Sequence, residues 1–305
     1  MQERINLIIL FVILVVIFFL YNFYAKSFDK PITFSFEQMK ALKMKSDKPI
    51  LWIHLKKDMN ARSWDNFSSR NSRKLNQGYI YLTIKSIIIN CNKSFHICII
   101  DDKTLTNLIQ TPIVKSLNNE RYRYVAKCYL LNEYGGLFVP DSFLCFKDLI
   151  DLMPKQSNQI VYSESFITDN NIFLGSLENN KNLLKIIKTV KSNIGFNTNS
   201  LYFEDKIKLT GNSIKIDSEL IGIVDKHKKP IELANLFSTE FLQIQKNILG
   251  ILIPQEEILL RTNYEWFARM SPNQVLKSNM ILSKYILLAT VERSFLSFQS
   301  FFEIK

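Results

Sequence analysis

Three aspartates stand where side-chain chemistry can be read from the chain. Asp101 and Asp102 follow the apolar run Phe95–Ile100, and Asp141 follows Leu137–Val139. A carboxylate at the end of an apolar strand can hold a divalent cation, accept from a ribose hydroxyl or orient an acceptor group. The same placement also suits a structural duty, in which the aspartate caps the next helix. A second chemistry sits between residues 56 and 76. There Lys56, Lys57, Arg62, Arg70, Arg73 and Lys74 outnumber Asp58 and Asp65, with Trp64 and Phe67 interleaved. Such cations can neutralise a diphosphate without a metal ion, or they form only a solvated basic loop. His54, His96 and His227 are too dispersed for a metal triad, and His96 reads as strand surface. No phosphate-binding Gly-rich loop, nucleophile elbow or zinc-helix motif occurs.

The elements that must position these residues follow from periodicity. Pro49–His54 is a short apolar strand, and Gln77–Cys91 is a helix with Ile80, Ile84, Ile87 and Ile88 at helical spacing. Phe95–Ile100 is the next buried strand, and strand–helix–strand order predicts a parallel α/β sheet. Arg121–Tyr134 is an amphipathic helix stopped by Gly135-Gly136, after which Leu137–Val139 is a third strand. Gln159–Tyr162 and Ile172–Leu174 read as further strands. Asn180–Lys191 reads as a helix with Leu183, Leu184, Ile187 and Val190 on one face. Met280–Phe302 is apolar but broken by Lys284, Glu292 and Arg293, which predicts a docked helix rather than a membrane span.

The stretch from Leu131 through Tyr134-Gly135-Gly136-Leu137-Phe138-Val139-Pro140-Asp141-Ser142 resembles the core of the DXD-containing sugar transferases. Their pattern reads roughly Asp-x-x-Arg-x-x-x-Leu-x-x-Tyr-Gly-Gly-x-Tyr-x-Asp-x-Asp. The resemblance implies a GT-A-like (nucleotide-diphospho-sugar transferase) α/β domain with a mostly parallel central sheet. It also implies transfer of a sugar from a nucleotide donor to a glycan or protein acceptor. In that family the paired carboxylates hold the cation that neutralises the leaving diphosphate; here their positions carry Pro140 and Ser142. A divalent cation, Mn²⁺ or Mg²⁺, would enter only if Asp141 rebuilds the site. Strand alternation points Asp141 the other way, and a surface turn aspartate is the alternative. The family Arg falls on Lys127, which keeps the charge but not the fork. The family Asp falls on Tyr124, which suits either stacking on a ring or core packing.

The resemblance thus gives Tyr124, Lys127, Gly135 and Gly136, with Arg62, Arg70 and Arg73, as candidate substrate-binding residues. Asp101, Asp102 and Asp141 are the candidates for catalysis. Asn171–Ser176 is similar to the family's acceptor-side segment, and Thr210-Gly211 resembles its Thr-Gly-Pro turn, with Asn212 in place of Pro. The body, including Tyr264–Arg269, is also similar to a group of uncharacterised giant-virus proteins, a resemblance that carries no activity. With the carboxylates lost, a catalytically inactive binder of glycan or protein stands beside the transferase as the second reading.

Ile5–Tyr24 is almost unbroken apolar sequence. About 20 helical residues at 1.5 Å each span roughly 30 Å, a bilayer core. The expected organisation is a short tail at 1–4, a transmembrane helix at 5–24, a Lys-rich stem at 25–48 and the α/β domain at 49–305. A cleaved signal peptide is the alternative to the anchor. Lys26, Lys30, Lys40, Lys43 and Lys45 follow the apolar run and favour a cytoplasmic body, whereas family analogy favours a lumenal one. Cys91, Cys98, Cys128 and Cys145 form no CxxC pair; Cys98 and Cys128 read as buried thiols, which suits a reducing compartment. The net charge of +11 permits a polynucleotide partner, but no reading motif accompanies it, so nucleic acid is not the expected partner.

Overall fold

The computed structural model describes residues 47–55, 77–109, 119–163, 172–192, 201–208, 210–259 and 264–290. The expected membrane helix at 5–24 and nearly all of the stem lie outside the described residues. So does the basic segment 56–76, with Arg62, Arg70 and Arg73. Among the described residues no helix is long and apolar enough to cross a membrane.

Six strands form the central sheet in the order β2-β1-β3-β6-β5-β7. They are β1 (Ile50–Leu55), β2 (His96–Asp101), β3 (Gly136–Val139), β5 (Ile160–Tyr162), β6 (Leu174–Ser176) and β7 (Ser213–Lys215). β1 pairs in parallel with both β2 and β3. β6 runs antiparallel to β3 and β5, while β5 and β7 are parallel. Five strands therefore share one direction and β6 alone is reversed. This is the α/β domain with a mostly parallel central sheet that the sequence leads one to expect.

β1 shows why the sheet is covered on both sides. Its Ile-Leu-Trp-Ile run is buried at every position, as a central parallel strand with helices on both faces requires. Ile50 and Trp52 join one apolar cluster with Tyr124, Val125, Cys128 and Leu131 of α3 (Asn119–Tyr134). Leu51 and Ile53 join another with Ile87 and Cys91 of α1 (Gly78–Cys91). α1 carries the chain from β1 to β2, with Tyr81, Lys85 and Ile88 exposed and Tyr79, Leu82, Ser86 and Ile87 buried. α2 (Asp102–Leu108) follows β2 directly.

α4 (Lys181–Ser192) packs on α3. Its buried face is Leu183, Ile186, Ile187 and Val190, while Leu184 is 39% exposed. The sequence reading put Leu184 inside; one residue on from Leu183 is a turn of about 100°, which carries it off the buried stripe. β6 likewise begins at Leu174, two residues later than read, because Ile172 and Phe173 are buried before the ladder starts.

A smaller unit covers the outer face of α1. β4 (Phe143–Cys145) pairs antiparallel with β8 (Gly250–Leu252). After α5 (Leu201–Lys208) come α6 (Leu233–Phe237), α7 (Gln255–Leu259), α8 (Glu265–Ala268), α9 (Pro272–Lys277) and α10 (Ile281–Thr290). Tyr79, Phe146, Leu236, Phe267, Ile281 and Tyr285 share its core. α10 is the described part of the docked C-terminal helix, and residues 291–305 lie outside the described residues.

Candidate functional site

β1, β2 and β3 end together. From β1 the chain first adds β2 on one side and later β3 on the other. The direction of winding thus reverses at β1, and open α/β sheets bind ligands at the carboxyl ends of the strands beside such a point. His54, Asp101, Asp102 and Asp141 all come from this edge.

Asp101 is committed to structure. Its carboxylate accepts from the Thr104 backbone N–H at 2.8 Å and from Thr104 Oγ1 at 2.6 Å, as the N-cap of α2. Asp102 is partly open to solvent. Its Oδ1 lies 2.9 Å from His54 Nε2. Arg123 on α3 grips it bidentately, Nε to Oδ1 at 2.9 Å and Nη2 to Oδ2 at 2.7 Å. The His54 side chain is 3% exposed, Arg123 18% and Asp102 44%. One carboxylate, gripped from beneath by β1 and α3, therefore presents its outer side to solvent.

The electrostatics settle the proton positions. Burial lowers the His54 pKa to about 4; the Asp102 hydrogen bond and charge oppose this, and the Lys127 and Arg123 cations assist it. At neutral pH the ring is uncharged. For Asp102, burial opposes ionisation, but the hydrogen bonds from His54 and Arg123 and the positive charge beside it hold the carboxyl well below its usual range. An ionised carboxylate only accepts, so the neutral imidazole places its hydrogen on Nε2 and leaves Nδ1 as an acceptor.

Lys127 follows Arg123 by one helical turn on the same face of α3. It is 3% exposed, with Nζ 5.5 Å from the centroid of the Phe138 ring. It belongs to the electrostatic surroundings of His54. Tyr124 is 1% exposed and packed in the core, where its hydroxyl meets the Cys128 thiol. The stacking role read for it therefore does not apply to this conformation.

Gly135 and Gly136 shape the frame. Gly135 has φ +65° and its N–H returns to the Leu131 carbonyl at 2.8 Å, ending α3 in the left-handed cap that glycine favours. Gly136 has φ +112°, and a Cβ there would stand 2.2 Å from the Ile50 carbonyl oxygen. The Trp52 indole N–H donates to the Gly135 carbonyl at 2.9 Å. Both glycines let α3 and β3 close onto β1; neither presents a side chain to a ligand.

Asp141 is not the exposed turn residue read from the sequence. It is 7% exposed, in the turn that Phe143 N–H closes on the Pro140 carbonyl at 3.1 Å. Its carbonyl accepts from Thr83 Oγ1 of α1, so the turn is drawn under the helix instead of into water. Ser142 is wholly buried, and its Oγ has no hydrogen-bond partner among the described residues. These residues do not fit a divalent cation held by paired carboxylates: Pro140 offers no side-chain ligand atom, the Ser142 hydroxyl is enclosed, and Asp141 supplies one carboxylate where the family has two. Among the described residues, no three His, Cys, Asp or Glu side chains gather as a metal site.

Sequence reasoning missed His54 and Arg123. A signal for His54 existed, because parallel pairing puts His54 beside Ile100, two residues before Asp102. Arg123 sits one turn before Lys127, but its partner could not be read without the packing of α3. The four cysteines are buried and form no disulfide, and the Cys91 and Cys145 sulfurs lie 3.8 Å apart. Burial pushes the Cys98 and Cys128 thiols up to about 12, so both are inert.

No protein-family model matches the chain, and no curated protein matches it. Among solved structures, a similar chain is the glycosyltransferase GlyE of Streptococcus pneumoniae TIGR4. The match has 10% identity and a TM-score of 0.40, over 83% of this chain and 66% of that one. At this identity and TM-score it assigns neither an activity nor a substrate here.

Proposed function

We propose that this chain is a membrane-anchored, glycosyltransferase-like protein that holds a nucleotide-sugar at the carboxyl edge of β1, β2 and β3. The sugar then passes to a glycan or protein acceptor. The observation that carries this reading is the half-exposed Asp102 carboxylate, gripped by His54 and Arg123 at the switch point of the sheet. A carboxylate held ionised and oriented in this way suits ribose or sugar hydroxyls, which donate to it. Its lowered pKa makes it a weak general base, so its part is orientation.

Release of the diphosphate needs positive charge. The segment 56–76 leaves β1 at this same edge and carries Arg62, Arg70 and Arg73, which can supply charge-assisted hydrogen bonds in place of a cation. Buried Lys127 contributes field rather than contact. The anchor is the apolar run 5–24. A Lys-rich stem and buried thiols outside any disulfide favour a cytoplasmic body, and family analogy a lumenal one.

A second reading is a binder without transfer. It is favoured by the β3–β4 turn, where Pro140 and the enclosed Ser142 replace the family's carboxylates. Titration calorimetry of the full chain with UDP, GDP, CDP and ADP, with Mn²⁺ and with EDTA, is the test. A nucleotide diphosphate should bind with affinity changed less than tenfold by EDTA. Sugar release from the matching nucleotide-sugar supports transfer, and binding without turnover supports the second reading. Binding of none of the four overturns the donor site and leaves a binder of glycan or protein.

A further inference from the structure

The Tyr264–Arg269 segment, which the donor site does not use, builds an aromatic surface. Trp266 is 48% exposed. The Phe237 ring of α6 lies at its centre, 5.2 Å from the Trp266 ring, 5.5 Å from Tyr264 and 4.6 Å from Phe267. Tyr264 and Phe237 are half-buried, while Phe267 is fully buried behind them. The wall is rigid, because Phe267 stacks in turn on Tyr79 of α1 at 5.0 Å. At its rim Arg269 Nη2 meets Glu265 Oε1 at 2.6 Å, and the Arg269 side chain is 49% exposed.

This surface lies on the same edge of the sheet as the candidate site. α1 leaves that edge on its way back from β1. Gln77 N–H, just before α1, donates to the Ala268 carbonyl at 2.7 Å. Gly78 has no room for a Cβ against Met270 and Pro272. Tyr79 stands one turn before Thr83, whose hydroxyl holds the Asp141 carbonyl.

We infer that Trp266, with Phe237 and Tyr264 beside it, is a stacking platform for a saccharide. A pyranose has an apolar C–H face that covers an exposed ring and a hydroxyl rim that pairs with charged groups. The combination of a half-exposed indole, a rigid aromatic backing and an Arg–Glu pair at its margin matches both. Among the described residues, the Arg269 guanidinium at this margin is held in an ion pair with Glu265, which suits a hydroxyl rim better than a charged lipid surface. The identity of this saccharide as the acceptor rests on the transferase reading; its binding does not.

The full chain, in a non-glycosidic detergent, would be titrated with chitotetraose, mannotetraose and maltotetraose, and separately with UDP and GDP. At least one tetrasaccharide should bind. Trp266→Ala should weaken that binding tenfold or more, Trp266→Tyr should restore most of it, and nucleotide affinity should be the same in all three proteins. No binding of any tetrasaccharide, or equal binding by Trp266→Ala, overturns the platform whatever the nucleotides do. Loss of nucleotide binding in the parent chain overturns the donor reading instead and leaves the saccharide result to judge this one.

Discussion

His54 makes the stability of this protein depend on pH in a calculable way. Its pKa is lowered to about 4 in the folded chain, chiefly by burial, against an ordinary value near 6.5. Between these values the unfolded chain binds more protons than the folded one, so stability rises with pH through the window and falls on acidification. Linkage gives a loss of about 2 kcal/mol from pH 7 to pH 5, growing to about 3 kcal/mol at pH 4. For a domain of this size, the loss at pH 5 is roughly 4–8 °C in Tm. Asp102 works in the same direction, but its lowered pKa costs stability only below the ordinary aspartate range, and its exposure weakens the effect. Glu257, raised by burial and by the Glu232 charge, acts in the opposite sense, so the His54 contribution is read by difference from a variant.

His54→Gln isolates this effect. The glutamine amide can still donate to Asp102 from about the place of Nε2, and it does not titrate in this range. Urea unfolding at 25 °C, at pH 7, 6 and 5, should show the parent losing about 2 kcal/mol more than the variant between pH 7 and 5. Parallel curves for the two proteins would refute the buried, neutral imidazole. They would also undo the proton placement at the Asp102 site.

Gly136→Ala should cost about 3 kcal/mol or more, because its Cβ meets the Ile50 carbonyl at 2.2 Å. Gly211→Ala should cost only about 1 kcal/mol, since it has φ +72° with nothing within 4 Å; urea titration of both variants compares them. Asp141→Ala should lower stability by about 1–3 kcal/mol in a thermal melt, because the residue is 7% exposed under α1 and not on the surface. Carbonate extraction of membranes containing the full chain should leave it in the pellet; release to the supernatant, or a mature N-terminus near residue 26, would remove the anchor at 5–24.

The frame was legible because short-range rules fix it. A short unbroken apolar run opened by a proline reads as a strand covered on both faces, so Pro-Ile-Leu-Trp-Ile-His announced β1. Tyr-Gly-Gly announced the end of α3, since the chain must take a left-handed turn there to enter β3. Asp101 as a helix cap was one of the two readings its position allowed. The reversed β6 was not legible, because three apolar residues look alike in either direction and only pairing with β3 and β5 orients them.

The site itself belongs to tertiary structure. His54 and Asp102 meet because parallel register sets two strand ends side by side, and Arg123 joins them because α3 lies across that edge. Burial then decides what each group is. The same packing makes His54 neutral, leaves Asp102 half in water and draws Asp141 under Thr83. Residue type and spacing could nominate these side chains for chemistry. Which of them faces solvent, and in which charge state, depends on dielectric and neighbours that come from elements far apart in the chain.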